Sequence, residues 1–153
     1  MSIRYLLFSC LILIAIVGQS AADGDVGLGI IAGEPTGLSL KMWMGDRDAV
    51  DVAAGWSLGE EGWFYGHCDY LHHWYDLDLE EVDGTVPYYV GVGCRILLRD
   101  GNNSKLGIRI PIGLDYVFRD RRFDVFVEVA PILNLVPETE FDWSGGVGVR
   151  FWF

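Results

Sequence analysis

The chain is short of basic residues, of long apolar runs and of helical periodicity, and each shortage removes a class of protein. Eleven lysines and arginines stand against 22 aspartates and glutamates, for a formal charge of −11. Such a chain lacks the basic face that nucleic-acid binding needs. Beyond residue 22 no apolar run approaches the ~20 residues that a transmembrane helix requires. No segment past that point repeats its apolar residues at helical spacing, and there is no long low-complexity tract. The glycine clusters Gly91–Gly93 and Gly145–Gly148 are not followed by a helical pattern, so they are not phosphate loops.

The first 22 residues differ from the rest. Arg4 precedes an apolar run from Tyr5 to Gly18, and Ser20-Ala21-Ala22 supplies the small residues of a signal-peptidase site. This predicts a cleaved secretory signal peptide over residues 1–22, leaving a single domain over 23–153. Its loss takes one base and no acid, moving the formal charge from −11 to −12. The apolar run continues well past Cys10, which argues against a lipoprotein anchor at that cysteine.

What the chain does have is alternation. In FDWSGGVGVRFWF, Phe141 to Phe153, the odd positions are apolar or glycine, and the even ones are mostly small or polar. That is the period of a β-strand with two unlike faces. Seven further segments repeat it: Val26–Gly33, Thr36–Met44, Asp48–Leu58, Trp63–Tyr75, Pro87–Leu98, Lys105–Phe118 and Arg122–Leu135. Turn signals separate most of them, and one long acidic connection spans Asp76–Val86. With 20 glycines, 14% aromatic residues and repeated valines, the chain reads as all-β. Eight strands on short turns predict an antiparallel up-and-down barrel.

The direction of its faces decides the environment. The polar face carries Gly91, Gly93, Gly107, Gly113, Gly146 and Gly148, which suit a narrow lumen better than a solvated strand. Its charges are nearly balanced despite the acidic chain. Lys41, Arg95, Arg109 and Arg150 face Asp51, Asp69, Asp115, Asp124 and Glu128, with His67 among them. Pairing of this kind is what a water-excluded interior demands. The reading is therefore a transmembrane barrel with its Leu/Ile/Val face on lipid.

Hairpin geometry turns the pattern into specific pairs. A turn centred on Asp46 sets Lys41 opposite Asp51. A connection centred on Glu81 sets Cys68 opposite Cys94, with Asp69 one diagonal step from Arg95. A turn centred on Thr139 sets Glu128 opposite Arg150. Cys68 and Cys94, in an exported chain, are a candidate disulfide or two lipid-facing thiols. Cys68 with His72 and His73 has the wrong alternation for one tetrahedral metal site, so no metal and no cofactor is expected. Ser39, Asp51, His67 and Asp69 share the lumen face and form a conceivable Ser/His/Asp set. A buried polar network that braces the barrel is the stronger expectation for them. The tryptophans at 43, 56, 63, 74, 143 and 152, with Tyr70, Tyr75 and Tyr116, fall near strand ends and suit interfacial girdles.

Two segments carry a family resemblance. GIIAGEPTGLSLKMW, with its Gly33–Gly37 turn, and VEVAPILNLVPETEFDWSGGVGVRFWF, with Ala130-Pro131 and Pro137–Thr139, resemble a family of small bacterial outer-membrane-type β-barrels to which no biochemical activity is attached. The architecture is similar to the eight-stranded barrels of the OmpA/OmpX class. The resemblance implies a fold and a bacterial outer-membrane location, with Val149, Phe151 and Phe153 read by the barrel-insertion machinery.

The expectation is thus a monomeric, non-enzymatic outer-membrane barrel in contact with membrane lipid, its lumen filled by side chains, with a structural or surface-interaction role. Two alternatives are a lipid A-modifying enzyme using His67 and Asp69, and a soluble lipocalin-like carrier with the apolar face inward. With eight strands both chain ends face the periplasm, so Asp76–Val86 falls on the periplasmic side and the outward turns are short. Outer-membrane barrels normally have the reverse loop lengths.

Overall fold

Alternating residues with β-branched and aromatic side chains on one face form strands along most of the described residues. The computed structural model describes residues 24–57, 62–77, 83–99 and 104–153. The leader expected over 1–22, and the connecting residues 58–61, 78–82 and 100–103, lie outside the described residues.

The described residues form ten strands: β1 (Val26–Glu34), β2 (Gly37–Trp43), β3 (Asp48–Ser57), β4 (Trp63–Trp74), β5 (Gly84–Thr85), β6 (Tyr88–Arg99), β7 (Lys105–Arg109), β8 (Ile112–Phe118), β9 (Phe123–Val136) and β10 (Glu140–Trp152). They build eight staves, because two staves are interrupted. Lys105–Phe118, expected as one strand, is divided into β7 and β8 at Ile110-Pro111. Pro111 has no N–H to donate to the ladder. The Ile110 amide still reaches the Pro131 carbonyl at 3.0 Å, and the Gly91 amide reaches the Pro111 carbonyl at 2.8 Å, so the wall stays continuous. Likewise β5 continues the edge of β6 along β8, with Gly84 opposite Phe118 and Tyr88 opposite Leu114. A short strand therefore emerges from the connection expected over Asp76–Val86.

Every neighbouring pair is antiparallel, and β10 pairs with both β9 and β1, which closes the sheet on itself. The fold is an all-β antiparallel barrel of eight staves. Closure pairs both edges of the long staves, leaving only the short β5 paired on one side among the described residues. At the chain ends the Phe153 amide donates to the Val26 carbonyl at 2.9 Å, and the Gly24 amide donates to the Phe153 carbonyl. At the opposite rim, Gly33 adopts φ 140°, a backbone region that favours glycine. There Thr36 Oγ1 accepts from the Gly33 amide at 3.1 Å and donates to the Gly33 carbonyl at 3.0 Å.

The polarity is inverted relative to a water-soluble sheet. On β9, Val125, Val127, Val129 and Leu133 are 38–52% exposed, whereas Asp124, Phe126, Glu128, Ala130, Ile132 and Asn134 are buried. Ile30, Leu38, Val92, Ile108, Leu114 and Val147 also face outward. Lys41, Arg95, Arg109 and Arg150 are each at most 1% exposed. A lipocalin-like carrier requires the opposite arrangement. Among the described residues, Ile31, Ala53 and Phe126 pack inside as a small apolar cluster.

Candidate functional site

The lumen is where the chain concentrates its ionisable groups. Its contents follow from register: each stave contributes every second residue, and neighbouring staves bring those residues level. One row runs Lys41, Asp51, Asp69, Gly93 and Arg109 across β2, β3, β4, β6 and β7. The next runs Ser39, Ala53, His67, Arg95 and Gly107 across the same staves. Small residues within each row leave room for long ones beside them.

Toward the chain ends, Arg150 is the hub. Its Nη1 donates to Asp51 Oδ1 at 2.8 Å, its Nη2 to Asp115 Oδ1 at 2.8 Å, and its Nε to Asp124 Oδ1 at 3.1 Å. The same guanidinium lies 4.0 Å from the Phe126 ring centroid. Lys41 Nζ donates to Asp115 Oδ2 at 2.5 Å and to His73 Nε2 at 2.8 Å. His73 Nδ1 then carries the hydrogen donated to the Arg47 carbonyl at 3.1 Å, which defines its tautomer. Trp152 Nε1 donates to Asp124 Oδ2 at 3.1 Å.

Toward the opposite rim, Arg109 Nη2 donates to Glu128 Oε1 at 2.5 Å, and its Nη1 lies 3.2 Å from Asp69 Oδ2. Tyr89 donates its hydroxyl to Glu128 Oε2 at 2.9 Å. Arg95 Nη2 donates to Asn134 Oδ1 at 2.6 Å and to Asp142 Oδ2 at 3.0 Å. Between the two halves stands His67. Its Nε2 is 3.6 Å from Asp51 Oδ2 and 3.7 Å from Asp69 Oδ2, beyond hydrogen-bond reach of either.

All ten residues expected in the lumen network are buried there, but one expected register pair, Glu128 with Arg150, is not formed. Lys41 does sit level with Asp51. Glu128, however, is opposite Gly146, and Arg150 is opposite Asp124. The β9–β10 turn is centred on Pro137 rather than Thr139, with Glu140 level with Asn134. A two-residue shift of centre keeps every side chain on its face but changes every partner, so face assignment survived where pairing did not. Asp69 does lie one diagonal step from Arg95, yet its ion pair is with Arg109. Tyr89, His73, Asn134 and Trp152 join the network although the sequence alone assigns them no role in it. Their shared alternation with Asp69 and Glu128 was the available signal.

Ser39 Oγ and both His67 ring nitrogens make no hydrogen bond, so the Ser/His/Asp set is not assembled as a relay. Cys68 and Cys94 are direct register partners on the outer face, exposed and carrying free thiols. His72, the odd polar residue on that face, holds Asp48 at 2.7 Å near the end of its strand. Not all the tryptophans belong to a girdle. Trp56 and Trp143 face outward at 46% and 56% exposure, but Trp152 is buried and stacks with Trp43 at 6.1 Å. Trp152 turns inward with the other even positions of β10, and its indole meets Asp124, the register partner of Arg150 two residues earlier. In the terminal segment Val149 and Phe153 face outward, and Phe151 packs edge-on to both Phe123 and Phe153.

No protein-family model matches the sequence, and comparison with curated proteins finds no match either. Among solved structures, the chain is similar to the N-terminal β-barrel domain of Pseudomonas aeruginosa OprF, with a TM-score of 0.62 at 18% identity. The match covers 84% of this chain and 95% of that domain. At this identity the likeness is one of fold, an antiparallel β-barrel.

Proposed function

We propose that this chain is an exported outer-membrane β-barrel whose role is structural or surface-interactive, with a lumen filled by its own side chains. The carrying observation is the inverted polarity: a wall of exposed Val, Ile, Leu and Phe encloses buried Lys41, Arg95, Arg109 and Arg150. Water would leave that apolar wall unsatisfied, whereas lipid accommodates it. The fully buried Arg95, Arg109, Arg150, Tyr65 and Tyr89 occupy the interior that a conducting pore would need open. The barrel fold shared with an outer-membrane protein domain is consistent with this setting. So are the resemblances of the Gly33–Gly37 turn, the Ala130–Thr139 segment and the Phe153-terminated strand to small outer-membrane barrels. On this reading residues 1–22 direct export, Val149, Phe151 and Phe153 present the chain to the insertion machinery, and the barrel acts as a monomer.

Fractionation of cells combined with protease treatment of intact cells tests location and orientation together. The expected result is a heat-modifiable band in the detergent-resistant membrane fraction. Recovery of the chain in the soluble periplasmic fraction would refute the reading.

A further inference from the structure

Asp51 and Asp69 are level with each other on adjacent staves, an arrangement of like charges that costs stability unless a cation lies between them. Each carboxylate has an arginine on one side: Arg150 on Asp51 Oδ1 and Arg109 on Asp69 Oδ2. His67 points between the two, its side chain 1% exposed. Both of its ring nitrogens and both Asp69 oxygens lack a hydrogen-bond partner. Unpartnered groups buried this deeply are rare and call for an explanation. Across the lumen, Lys41, Arg95, Arg109 and Arg150 face Asp51, Asp69, Asp115, Asp124, Glu128 and, at the mouth, Asp142, so carboxylates outnumber fixed cations by two.

We propose that Asp51, His67 and Asp69 form a binding site for one divalent transition-metal ion in the barrel lumen. The three candidate ligand atoms lie within 4.8 Å of one another. The distances of 3.6 and 3.7 Å from His67 Nε2 to the two carboxylates are too long for hydrogen bonds. They approach the ~3.4 Å edge of a tetrahedron of oxygen and nitrogen ligands at ~2.0–2.2 Å from zinc. One imidazole nitrogen with two carboxylates suits zinc or cobalt rather than a thiolate-seeking metal or an all-oxygen calcium cage. Arg109 and Arg150 then serve as outer partners that orient the carboxylates, as groups behind metal ligands commonly do. A bound dication matches the two-charge excess and gives the facing aspartates a shared counter-ion. The sequence places Asp51, His67 and Asp69 on one lumen face, but only the pairing of β3 with β4 brings Asp51 level with the other two.

The site is enclosed, so the ion enters as the barrel folds. The test folds the full chain, made without a histidine tag, into detergent micelles with a small excess of Zn²⁺ or Co²⁺. Free metal is then removed on a chelating resin and bound metal is counted. About one zinc per folded barrel is expected, with cobalt giving the intense visible bands of a tetrahedral field. His67→Gln and Asp69→Asn should each lower retention at least tenfold. His72→Ala, which removes the exposed histidine beside Asp48, should leave it unchanged. Heat-modifiable mobility reports separately whether each variant folds. A folded wild type that retains less than about a tenth of an equivalent overturns the site. So does full retention in either folded lumen variant, or loss in His72→Ala. Should both lumen variants fail to fold, the wild-type count and the cobalt spectrum decide, a weak octahedral spectrum overturning the proposal. None of these results bears on membrane location, so this site and the outer-membrane reading stand or fall separately.

Discussion

Replacing Arg150 with Met tests the lumen network most directly. The side chain donates to three carboxylates from β3, β8 and β9, tying the last stave to staves across the barrel. Met fills similar volume but leaves charges behind. Asp115 keeps Lys41 at 2.5 Å, Asp124 keeps only the Trp152 indole at 3.1 Å, and Asp51 keeps only His67 at 3.6 Å. Removing one partner of a buried ion pair costs ~3–5 kcal/mol, and with two carboxylates stripped of their cation the cost should reach the top of that range. That is a large part of the ~5–15 kcal/mol that holds a domain folded. Urea unfolding in lipid vesicles, followed by tryptophan fluorescence, measures it. The Arg150→Met and Asp124→Asn cycle should show a coupling of ~1–3 kcal/mol, because each change relieves the other's orphaned group. The Arg150→Met and Glu128→Gln cycle should be additive within ~0.5 kcal/mol, since the two residues share no partner. A loss below about 1 kcal/mol for Arg150→Met, or stronger coupling to Glu128 than to Asp124, would refute the reasoning.

Other consequences are simpler to check. Val127 is 52% exposed midway along β9, so Val127→Arg should cost ~2–4 kcal/mol in a bilayer; a neutral result in the vesicle assay would remove lipid from that face. Gly113 lies level with Tyr89, and a Cβ there would run into the Tyr89 ring and come within 2.6 Å of the Val127 carbonyl oxygen. Gly113→Ala should therefore cost ~1–3 kcal/mol and displace the Tyr89 hydroxyl from Glu128, whereas wild-type unfolding behaviour would show that the lumen has slack there.

Much of the architecture was legible in local pattern. Alternation located all eight staves to within a few residues, and glycine with balanced charge on one face pointed that face inward. Both inferences use neighbours one or two residues away, which the backbone of a strand places without help from the rest of the fold. Register was legible only where a turn was unambiguous. The Asp46 turn and the long connection around Glu81 gave the Lys41–Asp51 and Cys68–Cys94 rows correctly. The Pro137 turn, with two plausible centres close together, did not. The break at Ile110-Pro111 was visible as a proline but was overridden by the strength of the alternation around it.

The sequence by itself determined an all-β chain, the division into staves and the face taken by the ten residues expected in the lumen, because a strand's period of two is a property of the backbone alone. Tertiary structure decided which charges meet. Arg150 reaches Asp51 from a residue 99 positions away, and His67 comes to stand between Asp51 and Asp69, only after the sheet curls and closes with β10 against β1. Contacts across a lumen depend on the stagger and tilt of the whole ring, and no single turn or stave carries that information.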